Sequence, residues 1–235
     1  MVHGVGGDSG NWDGVVAALP PRFRAIRLDL SGHGRSGLIE APCSVQDFAR
    51  DVTDVMDALG VRAAAIAGFS LGGLIAQAIA LESPSRVTKL ALIATVAGRT
   101  PEEQARSAAR IEMVREKGLA FIAAGNREFW FSDGFRRDHP EVVEARVRQF
   151  MACDPASYLH AFAVFARGDF VARLGEIRAP TLVLAGEFDP AATARMARLM
   201  HERIPGSRLE ILAGMRHALL IECPQRVAAP MAVVL

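Results

Sequence analysis

Gly68-Phe69-Ser70-Leu71-Gly72 places a hydroxyl between two glycines in the pattern G-x-S-x-G. On a sharp turn between a strand and a helix, such a serine projects away from the backbone. The flanking glycines let the two elements approach where a Cβ would collide. The hydroxyl becomes a nucleophile only if a base takes its proton and an acid orients that base. His217, just beyond the apolar run Arg-Leu-Glu-Ile-Leu-Ala-Gly, is the candidate base. Asp189, just beyond Thr-Leu-Val-Leu-Ala-Gly-Glu, is the candidate acid. Together the three residue types point to acyl transfer through a covalent serine intermediate. The competing reading of the pentapeptide is an ordinary tight turn that happens to contain a serine.

Other residues of the same types are assigned to other work. Glu187 rivals Asp189 from two residues away, but it lies within the turn rather than at its tip, so Asp189 is preferred. Asp29 follows an apolar run but precedes the serine in the chain, and is assigned to organising the loop Ser31-Gly32-His33-Gly34-Arg35-Ser36. His201 falls on a predicted surface helix, and His139 and His160 lie in the middle of the chain; all three are assigned to solvent or packing. Acyl transfer also needs two amides aimed at the charge that develops on the carbonyl oxygen. The N–H of Leu71 is one candidate. Val5, in the loop His3-Gly4-Val5-Gly6-Gly7, is the other, the alternative being that this segment is merely a flexible terminus.

These groups need a scaffold that brings distant strand ends to one edge. Residues 63–69 and 89–94 are short apolar runs that read as buried strands, the segments 180–190 and 208–214 restore strands after the middle of the chain, and Phe23-Arg24-Ala25-Ile26-Arg27-Leu28-Asp29-Leu30 reads as another. A helix is predicted after Ser44, with Asp47 completing a capping box, Phe48, Val52, Val55, Met56 and Leu59 on one face, and Gly60 ending it. Further helices are predicted over 71–83 and 191–203. Alternating strands and helices give an α/β class with a mostly parallel sheet flanked by helices. Parallel strands present their carboxyl ends together, which would collect Ser70, Asp189 and His217 on one edge.

Between about Gly98 and Phe170 the pattern is helical, without a convincing strand and with the densest aromatic content. The expected organisation is therefore an α/β core over 1–97 and 173–235 with a helical cap over 98–172. Of the cap aromatics, Trp130, Tyr158 and Phe162 are candidates for a substrate pocket, with Trp130 over the acyl group because an indole buries a flat face and still satisfies its N–H. Others among Phe129, Phe131, Phe135 and Phe165 are expected to pack cap against core. His3-Gly4 reads as the end of a strand whose body is absent, so N-terminal strands are expected to be missing from the sheet.

With 51% hydrophobic residues and 23% charged ones, the chain is neither a disordered tail nor a charge-driven fibre. Its net charge of +1 implies no polyanion partner, and its arginines alternate with acids, as in Glu102–Gly118, so nucleic-acid binding is not expected. No run of 18 apolar residues suggests a membrane span and no leader pattern is visible, so a cytoplasmic location is expected. Cys43, Cys153 and Cys223 are odd in number and lack metal-ligand spacing, so no structural metal is expected. Homo-oligomerisation is compatible with the sequence.

Over most of its length the chain resembles the α/β-hydrolase superfamily, and within it the 3-oxoadipate enol-lactonase branch. The residues carrying the likeness are His3-Gly4 with Gly6-Gly7 and Trp12, Asp29 through Ser36, and Gly68 through Gly73. Trp130-Phe131, Phe135 through Pro140, Asp154 through Tyr158, Ala179 through Pro190, His217, Glu222 and Pro224 complete it. The resemblance implies hydrolysis of a small enol-lactone to a 3-oxoacid without a cofactor. It also implies strands upstream of the His-Gly loop, and the Ala191-Ala192 that follows Pro190 departs from the family's polar or proline residues. A carboxylate-bearing lactone would want a nearby cation, for which Arg110, Arg136 and Arg137 are available. The alternatives are a general carboxylesterase or perhydrolase-like enzyme with the same triad, and a non-catalytic binding protein on the same scaffold.

Overall fold

Four parallel strands in the order β1-β2-β3-β4 form the sheet of the computed structural model, which describes residues 1–235. They are β1 (Ala64–Phe69), β2 (Val87–Ile93), β3 (Thr181–Gly186) and β4 (Arg208–Leu212). β2 and β3 are central and almost wholly buried, which explains why they read as continuous apolar runs without alternation. Helices α1 (Asp13–Ala18), α2 (Val45–Ala58), α3 (Leu71–Glu82), α8 (Ala194–Arg203), α9 (Leu219–Glu222) and α10 (Pro224–Val234) surround the sheet. Between β2 and β3 the chain forms only helices: α4 (Pro101–Trp130), the short α5 (Asp133–Asp138), α6 (Pro140–Met151), α7 (Pro155–Arg167) and a 3-10 turn at Leu174–Glu176. No helix is long and apolar enough to cross a membrane.

Local chemistry accounts for the element ends. Ser44 accepts from the Asp47 amide while the Asp47 carboxylate accepts from the Ser44 amide, closing a capping box at the start of α2. Phe48, Val52 and Met56 of that helix are buried, whereas Leu59, expected on the same face, is the C-cap and 48% exposed. In the cap, α4 breaks at Gly118, whose φ of 74° a residue with a side chain rarely adopts. The break bends the helix, so that its first arm and its last turn face one space.

The segment 23–30 differs from expectation. It is not a strand but a single parallel bridge, Leu28 to Val2, and Val2 bridges in turn to Gly68 of β1. The Val2 amide donates to Ala67 O at 2.8 Å and its carbonyl accepts from Phe69 N at 3.0 Å. Only Val2 stands between the two segments, and a ladder needs a continuous partner. Val2 nonetheless sits beside β1, so the His3–Gly7 loop leaves the sheet next to Ser70. Ahead of that loop, Val2 is the residue that bridges to the sheet.

Candidate active site

Ser70 follows β1 directly and is the N-cap of α3 with φ 55° and ψ −114°. For a residue with a Cβ this backbone costs about 1–3 kcal/mol and persists only where the surroundings hold it. The flanking glycines show how they do so. A Cβ on Gly68 would lie 2.1 Å from Gly72 O, and one on Gly72 would lie 2.2 Å from Val2 O. The Ser70 amide donates to Ile93 O at 2.9 Å and its carbonyl accepts from Thr95 Oγ1 at 2.7 Å, which ties the turn to β2.

Asp189 follows β3 and His217 follows β4, on the same sheet edge as Ser70. β4 lies three strand spacings from β1, about 14 Å, so the loop carrying His217 must fold back across β3. Gly214 turns it with φ 76°, and Glu187 N to Leu212 O and Phe188 N to Met215 O, at 3.0 and 2.9 Å, pin it there. His217 Nδ1 then lies 2.7 Å from Asp189 Oδ2, both residues being buried. Asp189 Oδ1 accepts from the amides of Ala191 and Ala192 at 2.8 and 2.9 Å. The departure from the family at Ala191-Ala192 is therefore immaterial to the carboxylate, because only backbone N–H groups are used. Glu187 is exposed, accepts from the Gly214 amide at 2.9 Å and does not touch His217.

The loop before the sheet is held by a buried imidazole. His3 Nε2 accepts from the Leu30 amide at 3.0 Å, which leaves the proton on Nδ1 to be donated to Gly4 O at 2.8 Å. Burial, reinforced by the neighbouring His33, lowers the His3 pKa to about 3, so the ring is neutral and its tautomer fixed. Gly4 packs against Ser70, since a Cβ there would lie 2.9 Å from the serine Cβ. Val5 follows and lines the same cavity as Ser70, with its N–H donating to no backbone carbonyl. Leu71 is the first residue of α3, where helix amides have no intrahelical acceptor. Asp29 takes the scaffold role expected of it, accepting from the amides of Ser9 and Arg35 at 2.7 and 3.1 Å. Burial raises its pKa, but those hydrogen bonds outweigh that and hold the carboxyl below the usual range.

The sequence profile of the alpha/beta hydrolase fold matches residues 1–161. The chain belongs to the α/β-hydrolase family. It is 30% identical to 3-oxoadipate enol-lactonase 1 of Acinetobacter baylyi over 224 residues, which cover 95% of this chain and 83% of that protein. Among solved structures, a hydrolase from Pseudomonas aeruginosa PA01 superposes with a TM-score of 0.92 at 32% identity, covering 99% of this chain and 87% of that one. The enol-lactonase from Burkholderia xenovorans LB400 gives a TM-score of 0.91 at 27% identity, covering 99% and 88%.

In this α/β hydrolase Ser70 and His217 open into a chamber of about 360 Å³. Trp130, Tyr158 and Phe162, the three pocket candidates, all line it, and so do Phe129, Phe150 and Phe165. Phe131 and Phe135 instead stack on each other, ring centroids 5.2 Å apart, and serve packing. His139 and His201 are exposed and His160 is half-buried; none lines the chamber. Of the three candidate arginines only Arg110 reaches the chamber. Arg136 pairs with Asp133 at 2.8 Å and Arg137 with Asp138 at 2.7 Å, so their charges are compensated elsewhere. Arg99 and Arg106 line the chamber as well, and the acid there, Glu103, is itself paired with Arg195. The chamber therefore carries a surplus of positive charge.

Arg146, which lines a small cavity beside Ser70 and His217, is not among the residues singled out from sequence. It occurs in α6 three residues after buried Val143 and four before buried Phe150, a charge on an apolar helical face. That periodicity was the available signal.

Proposed function

We propose that this α/β hydrolase cleaves 3-oxoadipate enol-lactone through an acyl-enzyme on Ser70. The carrying observation is that Ser70 and the Asp189-bound His217 open together onto an aromatic chamber with unbalanced arginine charge. A serine hydrolase acting on a small ester or lactone is the coarser form of the same conclusion. Residues 98–172 serve as a cap that walls the chamber, over a core of 1–97 and 173–235.

In the proposed reaction His217 Nε2 takes the Ser70 proton as Oγ attacks the lactone carbonyl. The amides of Val5 and Leu71 hold the oxyanion. Collapse breaks the ring C–O bond, and His217 returns the proton to the enolate oxygen. The enol so formed tautomerises to the ketone while still tethered to Ser70. Water, deprotonated by His217, then cleaves the acyl-enzyme and releases the 3-oxoacid. Asp189 fixes the His217 tautomer and stabilises the imidazolium that forms twice in the cycle. Nothing in these steps calls on a cofactor.

A fluorophosphonate probe is expected to label Ser70 and abolish activity, with peptide mass spectrometry locating the adduct. Full inactivation with the adduct on another residue would remove Ser70 from its role. On substrates, kcat/KM for the enol-lactone should exceed that for p-nitrophenyl butyrate by at least ~100-fold, about 2.7 kcal/mol in transition-state binding. A compact chamber suits a substrate whose leaving group stays tethered, and positive charge favours an anion. Equal efficiency on the two would make the enzyme a general carboxylesterase.

A further inference from the structure

Trp130 separates the large chamber from a second, small cavity that also reaches Ser70, His217 and Val5. The small cavity measures about 30 Å³, roughly twice the ~10–15 Å³ that admits one water molecule. It accommodates a two-oxygen group and not a ring. Arg146 is the one arginine, lysine or carboxylate residue in its lining.

The guanidinium of Arg146 differs from that of Arg106, which is also unpaired but exposed, in having a buried nitrogen. It forms no hydrogen bond and no ion pair with any residue of the chain, and its Nη1 is fully buried without a partner. Its carbon lies 4.3 Å from the centroid of the Trp130 ring, a cation–π contact that offsets only part of its desolvation. The Asp8 carboxylate acts on it only at a distance, without an ion pair or hydrogen bond, and a buried guanidinium N–H left without a direct acceptor is unfavourable, so its retention calls for an anion that arrives from outside. Burial pulls its pKa down to about 10, which still leaves it charged at neutral pH. Arg110, by contrast, already donates Nε to Tyr158 Oη at 3.1 Å and Nη2 to Asn126 Oδ1 at 3.0 Å, and faces the rings of Phe129 and Phe162. Its guanidinium braces the chamber wall.

We propose that Arg146 and the small cavity behind Trp130 form a carboxylate subsite, which selects substrates bearing an acid group on the acyl side of the scissile bond. The planar fork of Arg146 would bind the two oxygens side by side, with Trp130 fixing its plane. This rests on acyl-enzyme chemistry at Ser70 but not on the enol-lactone being the substrate. The test therefore uses two chromogenic esters of equal chain length, p-nitrophenyl hemisuccinate, which carries the acid, and p-nitrophenyl butyrate, which does not.

Wild type should prefer the hemisuccinate in kcat/KM by at least ~30-fold. Arg146→Met should lower the hemisuccinate value by ~100-fold, mainly through KM, and the butyrate value only about threefold. Arg146→Lys, which keeps the charge without the fork, should fall between. Arg110→Met should lower both esters alike, because it loosens the wall that both touch. Should the Arg146 variants not fold, inhibition carries the test: succinate should compete with the butyrate ester in wild type and in Arg110→Met, while uncharged succinamide should not. Equal losses on the two esters in Arg146→Met, or succinate no better than succinamide, would overturn the subsite. If the hemisuccinate preference holds and depends on Arg146 but the enol-lactone is not hydrolysed, the subsite stands and the enol-lactone assignment falls.

Discussion

His217→Ala is expected to lower kcat by about 10⁴-fold or more, with Ser70→Ala and the double variant falling to the same residual rate. The side chains act as one unit: without the imidazole the Ser70 hydroxyl has no proton acceptor, and without the hydroxyl the imidazole has nothing to activate. What remains is the contribution of the oxyanion amides and of binding, neither of which the substitution touches. The fold should survive. His217 packs beside Phe69 and Phe129, at 5.0 and 6.0 Å between ring centroids, and those rings stay supported by their own neighbours. Asp189 keeps the amides of Ala191 and Ala192. Losing its third partner should cost about 1–3 kcal/mol, visible as a modest drop in Tm. Single-variant losses that multiply in the double variant, or a kcat within tenfold of wild type, would contradict the assignment of His217 as base.

Asp189→Asn should be nearly as severe, and the geometry gives the reason. Oδ1 of Asp189 faces two N–H donors, Ala191 and Ala192, while Oδ2 faces His217 Nδ1. An asparagine must leave its oxygen on the two amides, which turns its NH₂ toward the imidazole. Nδ1 then has to accept, the proton moves to Nε2, and Nε2 can no longer take a proton from Ser70. The same change costs ~10⁴ in kcat in serine proteases through the same wrong tautomer, and a loss of that order is expected here. Glu187→Gln is the control. Its carboxylate only receives the Gly214 amide at the surface, a bond that an amide oxygen accepts equally well, so activity should stay within about threefold. A crippled Glu187→Gln beside a near-normal Asp189→Asn would move the role of acid to Glu187.

Much of this was readable from residue order because the relevant forces are local. Short uncharged runs such as Leu90-Ala91-Leu92-Ile93 are buried on both faces inside the parallel sheet, and parallel strands need crossover connections that are usually helices. Glycines two residues either side of Ser70 mark an elbow because no other residue tolerates approaches of 2.1 and 2.2 Å to a carbonyl oxygen. Asp189 and His217 stand just past strand ends, and parallel strands deliver those ends to one edge. Capping at Ser44 and termination at Gly60 are likewise decided within a few residues.

What only the tertiary structure decided involves partners far apart in the chain. The segment 23–30 has the composition of a strand, yet a strand is a relation to a neighbour, and Val2 alone fills that place. Arg110, Arg136 and Arg137 look equivalent in sequence; Asp133 and Asp138 compensate two of them, while a kinked α4 turns the third into the chamber. Arg146 stands on the apolar face of its helix, but nothing next to it in the chain says what it meets there. Its lack of any directly paired acid and its place behind Trp130 arise where α4 and α6 pack together beside the His3–Gly7 loop, more than 130 residues away in sequence. Sequence alone thus determined the kind of chemistry, because an elbow and its strand-end partners are specified by local pattern. The fold determined which charge faces the substrate, because compensation of a charge depends on what lies within a few ångströms and not on what lies next in the chain.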